Sequence, residues 1–94
     1  MVMKVKVKFY VDFKKVFGDE RAVELTDTAT MRDLLVALGD STQRSQMIFD
    51  EAGKVKPSVT LLLRRNGSPK SVDKEQIVLE DNDTVMIFKA LFGG

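Results

Sequence analysis

The sequence ends on two glycines, Gly93 and Gly94, separated by the short tail Lys89-Ala90-Leu91-Phe92 from an apolar run, Thr84-Val85-Met86-Ile87-Phe88. Residues without side chains can thread a channel too narrow for any others, so the pair can carry an α-carboxylate into a partner's active site. At about 3.3 Å per residue, the stretch after Phe88 reaches about 20 Å from the body of the protein. Glycine makes up about 7% of average sequences, so two at the last two positions arise by chance on the order of once in 200 chains. Following a strand, they stop no helix and close no hairpin. A carboxylate on a tether is the working group this sequence offers.

The other side chains form no recognisable catalytic constellation. There is no cysteine and no histidine, which removes disulfides, thiol nucleophiles, zinc-thiolate sites and the commonest general base. Asp81 and Asp83 are carboxylates two residues apart, but between two strands they read as turn residues and not as a metal site. Gly18, Gly39, Gly53 and Gly67 are isolated, each explained by a turn or a cap, so there is no phosphate-cradling loop. Lys4, Lys6 and Lys8 share one face of a strand with Tyr10, and Arg64-Arg65 ends another. That basic surface is a candidate docking face built on Lys4, Lys6, Lys8 and Arg64; the plainer alternative is a solvated sheet face whose lysines discourage edge pairing.

Ninety-four residues of 10.6 kDa allow a single hydrophobic core. With 44% apolar and 31% charged residues the composition is globular, and a net charge of +1 leaves no field strong enough to gather nucleic acid or an anionic membrane. No run approaches the roughly 18 apolar residues of a membrane span. The opening Met1-Val2-Met3-Lys4-Val5 alternates in polarity instead of building a signal-peptide core. The expected location is the cytoplasm.

The elements that must position this tail follow from periodicity. From Met3 to Phe13 the odd positions Val5, Val7, Phe9, Val11 and Phe13 are apolar and the even ones mostly lysine, which predicts a half-buried strand. A second strand, Arg21 to Leu25, pairs with it as a hairpin. Thr30 is a good N-cap, with Asp33 at N3, for a helix whose Met31, Leu34, Leu35 and Leu38 follow the i, i+3, i+4, i+7 rule. Gly39 ends it as a residue tolerant of positive φ. A helical turn from Ser41 to Phe49 takes Asp40 as its cap and turns Met47, Ile48 and Phe49 inward. A strand from Val59 to Arg64 leads to Asn66-Gly67, a hairpin signal. Ser68 to Lys74 reads as a polar connection, a short element surrounds Ile77 to Leu79, and Thr84 to Phe88 is the last strand. The expected core is Val5, Val7, Phe9, Val11, Leu34, Leu35, Leu38, Leu61, Leu63, Val85 and Ile87. Strands grouped around one helical stretch make an α+β fold.

With these residues in place the chain resembles the β-grasp sulfur carriers related to ubiquitin. That family includes the small subunit of molybdopterin synthase, the thiamine sulfur carrier, the ubiquitin-related modifier and the small archaeal modifier proteins. The likeness lies in Val5-Lys6-Val7-Lys8-Phe9-Tyr10, in Thr30-Met31-Arg32-Asp33-Leu34-Leu35, and in Leu79 to Phe88 leading to Gly93-Gly94. It implies a mixed β-grasp sheet over residues 1–88, with first and last strands adjacent and parallel and one main helix packed across it. Residues 89–94 then form a flexible diglycine tail.

The resemblance also implies a role without catalysis by this chain. A ubiquitin-activating-type enzyme, using its own ATP and magnesium, would adenylate the Gly94 carboxylate, and a sulfur donor would convert it to a thiocarboxylate, with no cofactor bound here. Gly93, Phe92 and Leu91 would thread the partner's active site. The acceptor would be a molybdopterin synthase large subunit or, in the modifier branch, lysines of target proteins. Two departures stand out. Relatives have Asp-Gly-Asp before the last strand where this chain has Asn82, a residue that also tolerates positive φ. The molybdopterin-synthase type has prolines and a small residue before the diglycine, where this tail has Leu91 and Phe92, either anchors for a differently shaped groove or residues that fold back onto the sheet. From another class, the alternative is a non-covalent β-grasp interaction module, one form of which binds RNA through Lys4, Lys6, Lys8 and Arg64-Arg65.

Overall fold

The computed structural model describes residues 2–72 and 76–89. Strand β1 (Val2–Phe9) buries Met3, Val5, Val7 and Phe9 and turns its even positions outward, as alternation requires. Helix α1 (Asp12–Phe17) then leads into β2 (Glu20–Thr26), which runs antiparallel to β1 with Val5 opposite Val23. Helices α2 (Met31–Leu38) and α3 (Thr42–Ile48) precede strands β3 (Val59–Arg65), β4 (Ser68–Val72) and β5 (Thr84–Lys89). The described residues form a five-stranded sheet in the order β2-β1-β5-β3-β4. β5 lies between β1, to which it is parallel, and β3, to which it is antiparallel. The expected pairing of first and last strands is therefore present.

One face of this sheet carries the core. Val5, Val7, Phe9, Leu61, Leu63, Val85 and Ile87 pack with Met31, Leu34, Leu35 and Leu38 of α2 in a single cluster. α2 starts on a complete capping box: the Thr30 hydroxyl accepts from the Asp33 N–H, while the Asp33 carboxylate accepts from the Thr30 N–H at 2.9 Å. α1 and α3 add Phe13, Phe17 and Ile48 to the same core, and the Phe9 and Phe17 rings stack at 4.7 Å. The segment around Ile77 to Leu79 is tied to the start of α2, with Met31 N donating to Ile77 O and Leu79 N to Ala29 O.

Several expectations need correcting. β1 ends at Phe9, and Val11, expected in the core, is 67% exposed. The apolar sequence Phe9, Val11, Phe13 continues the alternation by accident, because Phe13, Val16 and Phe17 already have the i, i+3, i+4 spacing of α1. The connection between β1 and β2 is thus a helix, not a tight turn. Ser68–Val72 is a strand: Asn66 and Gly67 both have positive φ, 54° and 79°, which suits a two-residue hairpin, so the chain returns along β3 despite its polar residues. At this sheet edge Pro69 is tolerated.

Gly39 has φ −81°, so left-handed geometry does not select it; a Cβ there would meet the Ser45 backbone at 3.2 Å. α3 is capped by Ser41, whose hydroxyl accepts from Arg44 N, while Asp40 holds the Arg44 side chain. Ile48 is its buried residue, and Met47 and Phe49 are half-buried. Asn82 does adopt positive φ, 67°, so the turn before β5 survives without glycine.

Candidate docking face and tail root

The outer face of the sheet is assembled by register. Lys6 and Arg64 flank Thr84 in one row across β1, β5 and β3, and Lys8, Met86 and Leu62 form the next. Phe88 stands opposite Thr60, and the Tyr10 ring meets it edge-on at 6.3 Å. Neighbouring strands lie about 4.8 Å apart, so Lys6 and Arg64 stand about 10 Å from each other across Thr84, at one end of an apolar patch made by Leu62, Met86 and Phe88. Leu62, Met86 and Phe88 are half-buried, whereas Lys6 and Arg64 are exposed. Such a surface offers apolar contact at its middle and charge at its rim, the layout of a protein–protein interface.

Of the four proposed docking residues, the structure brings Lys6, Lys8 and Arg64 around this centre. Lys4 sits one step further out, beside Glu24 of β2. Carboxylates stand among the lysines: Lys8 faces Glu20 in the β1–β2 register, and Lys6 Nζ lies 3.9 Å from Glu20 Oε2. Sequence reasoning named the charges and missed Leu62, Met86 and Phe88. The signal was present, because an inward Val85, Ile87, Leu61 and Leu63 leave the residues between them facing outward.

Arg65 does not join this surface, contrary to its grouping with Arg64. Strand alternation sends it to the opposite face, where its Nε and Nη2 donate to the two oxygens of Asp83 at 3.0 and 2.9 Å. Nη1 meets Glu80 Oε2 at 2.7 Å, and Nη2 also donates to Val78 O. Asp83 is 1% exposed and additionally accepts from Glu80 N. This fork-to-carboxylate bond raises the Arg65 pKa above its ordinary value and clamps the end of β3 to the start of β5. Asp81 accepts from the Lys4 N–H at 2.7 Å. Both aspartates are structural, and among the described residues no group of three or more acidic, histidine or cysteine side chains could hold a metal.

The chain matches solved structures over nearly its whole length. It aligns with the Haloferax volcanii HVO 2177 protein at TM-score 0.79 and 28% identity, over 99% of this chain and 88% of that one. A putative molybdopterin converting factor, subunit 1, from Pyrococcus furiosus gives TM-score 0.69 and 27% identity, covering 95% and 99%. Small archaeal modifier protein 1 of H. volcanii gives TM-score 0.81 and 18% identity, again over 95% and 99%. The chain has the ubiquitin-like β-grasp fold. The resemblance read from the sequence thus holds in three dimensions. No protein-family model and no curated protein sequence matches this β-grasp chain.

In this β-grasp sheet the parallel β1 and β5 end at the same edge. Tyr10 N donates to Ile87 O at 3.2 Å, and Lys89 Nζ lies 4.0 Å from the Asp12 carboxylate. The tail therefore starts beside the outer face, next to Tyr10 and Phe88. Leu91, Phe92, Gly93 and Gly94 lie outside the described residues.

Proposed function

We propose that this chain is a sulfur carrier of the molybdopterin-synthase small-subunit type, working as a co-substrate without a catalytic site of its own. The observation that carries the reading is the β-grasp fold whose β5 leads at Lys89 directly into Ala90-Leu91-Phe92-Gly93-Gly94. The outer sheet face supports it, with Leu62, Met86 and Phe88 next to Lys6, Lys8 and Arg64 on the face where β5 ends. So does the likeness to the Pyrococcus furiosus protein, whose name is a putative molybdopterin converting factor subunit.

The chemistry proceeds in three balanced steps, with ATP and magnesium held by an activating enzyme of the ubiquitin-activating type. The Gly94 carboxylate attacks the α-phosphorus of ATP, pyrophosphate leaves, and an acyl-adenylate forms. The terminal sulfur of a persulfide donor attacks the acyl carbon and AMP leaves. A thiol then cleaves the acyl disulfide, forming a new disulfide and releasing the thiocarboxylate. This chain has no cysteine, so every thiol belongs to a partner and its sulfur is carried only on the terminus. Among the described residues no helix is long and apolar enough to cross a membrane, and the reading places the cycle in the cytoplasm.

A second reading keeps the activation step and sends the carboxylate to target lysines; the match to small archaeal modifier protein 1 favours it. The test of what both share is deletion of Gly94. The shortened chain should keep its circular dichroism spectrum and melting temperature and fail to support ATP–pyrophosphate exchange by the activating enzyme. A deletion variant that still forms the acyl-adenylate refutes the proposal.

A further inference from the structure

The turn between β1 and α1 is built against the preferences of its own residues. Phe13 N donates to Tyr10 O at 3.2 Å, closing a four-residue turn in which Val11 has φ 56° and ψ −117°. Those angles belong to the first central position of a type II′ turn, where glycine and asparagine dominate because they tolerate positive φ. A β-branched residue there is an outlier held in place at a cost to folding. Val11 also precedes α1, a position that favours Ser, Thr, Asn, Asp or Gly, and it makes no side-chain cap bond. Being 67% exposed, it recovers little by burial. Among the described residues nothing repays its presence.

Its location supplies the missing reason. Tyr10, on one side, touches Ile87 and Phe88; Asp12, on the other, faces Lys89. Val11 therefore projects at the root of the tail, continuing the apolar outer face past Tyr10, which is itself 41% exposed. An open hollow lined by Lys8, Tyr10, Val11, Lys14, Asp19 and Glu20 lies alongside. Lys89, the last described residue before the tail, is thus flanked by this turn. We infer that Val11 is a contact residue for the activating enzyme, an exposed apolar knob that fills an apolar depression beside the channel for residues 90–94. The strain is retained because glycine, the residue the turn prefers, would leave that depression empty. This inference rests on the carrier reading above and names a specificity residue for it.

The test compares wild type, Val11→Gly, Val11→Asn and Val36→Ala in melting temperature and in ATP–pyrophosphate exchange catalysed by the activating enzyme. Val36 is the control, an apolar residue 55% exposed on α2, away from the tail root. The expected result is that both Val11 variants melt above wild type while their KM as substrate rises about tenfold, the scale of losing an interface anchor. kcat should hold, and Val36→Ala should leave KM unchanged. Variants that melt higher with unaltered KM overturn the contact, and variants that melt no higher overturn the strain. A wild type that supports no exchange overturns the carrier reading and this inference with it.

Discussion

Replacing Asp83 by Asn removes one charge from the most buried polar site described and should unfold this protein well below its normal melting temperature. The carboxylate, 1% exposed, accepts three hydrogen bonds, from Arg65 Nε at 3.0 Å, Arg65 Nη2 at 2.9 Å and Glu80 N at 2.8 Å. An asparagine has one acceptor oxygen and sets an amide donor against the remaining donors. Breaking one partner of a buried ion pair costs about 3–5 kcal/mol. Glu80 still holds Nη1 at 2.7 Å and the Arg65 side chain keeps 18% exposure, so the stranded cation is partly compensated and the lower end applies. For a domain of this size each kcal/mol moves the melting temperature by about 4–8 °C, giving a fall of about 12–24 °C for a loss of about 3 kcal/mol. Urea denaturation and thermal melts followed by circular dichroism measure both quantities. Combining Asp83→Asn with Arg65→Met should lose less than the sum of the single changes by at least about 1 kcal/mol. A single-variant loss below about 1 kcal/mol, the worth of an exposed ion pair, refutes the clamp.

Three further outcomes follow from the same geometry. Leu35→Ala, at a fully buried position of α2, should lose about 2–5 kcal/mol in urea titrations, and a loss below about half a kcal/mol would mean that α2 does not pack as described. Met86→Glu, at the centre of the outer face, should raise the KM for activation about tenfold in pyrophosphate exchange with little change in fold; an unaltered KM would remove that face from the interface. Asp40 has its pKa held below the ordinary 3.8, chiefly by the hydrogen bond from Arg44. Its folded pKa is depressed, so its contribution is present above the unfolded value and is lost as pH falls through the folded one. Asp40→Asn should therefore be slightly less stable than wild type at neutral pH, with the difference vanishing on acidification below 3.8; a difference that persists in acid contradicts the assignment.

Much of this fold was legible because its strongest elements obey their own periods. The alternation of β1, the leucine spacing of α2 and the Thr30–Asp33 capping box are local signals that tertiary packing reinforces. Val11 misled because period-two alternation and a helical i, i+4 pair, Phe13 and Phe17, overlap there, and only the turn between them decides which one governs. β4 was hidden by its composition: Ser68-Pro69-Lys70-Ser71-Val72 has little strand propensity, and the Asn66-Gly67 turn makes it a strand by returning the chain along β3. Arg65 and Asp83 lie 18 residues apart, and nothing local announces their contact. The cations of the docking face were readable as charges. Its apolar centre was readable too, from the outward positions of β3 and β5, but only once β3 is set beside β5 and β5 beside β1.

The proposed sulfur carriage puts this protein's chemistry on the Gly94 carboxylate. The most direct test is the intact mass of the protein purified from its native host under mild, non-reducing conditions. A sulfur carrier should show a population in which one terminal oxygen is replaced by sulfur, localised to Gly94 by fragmentation. A bare carboxylate in every preparation, with no lysine-linked adducts in the same extracts, would contradict it.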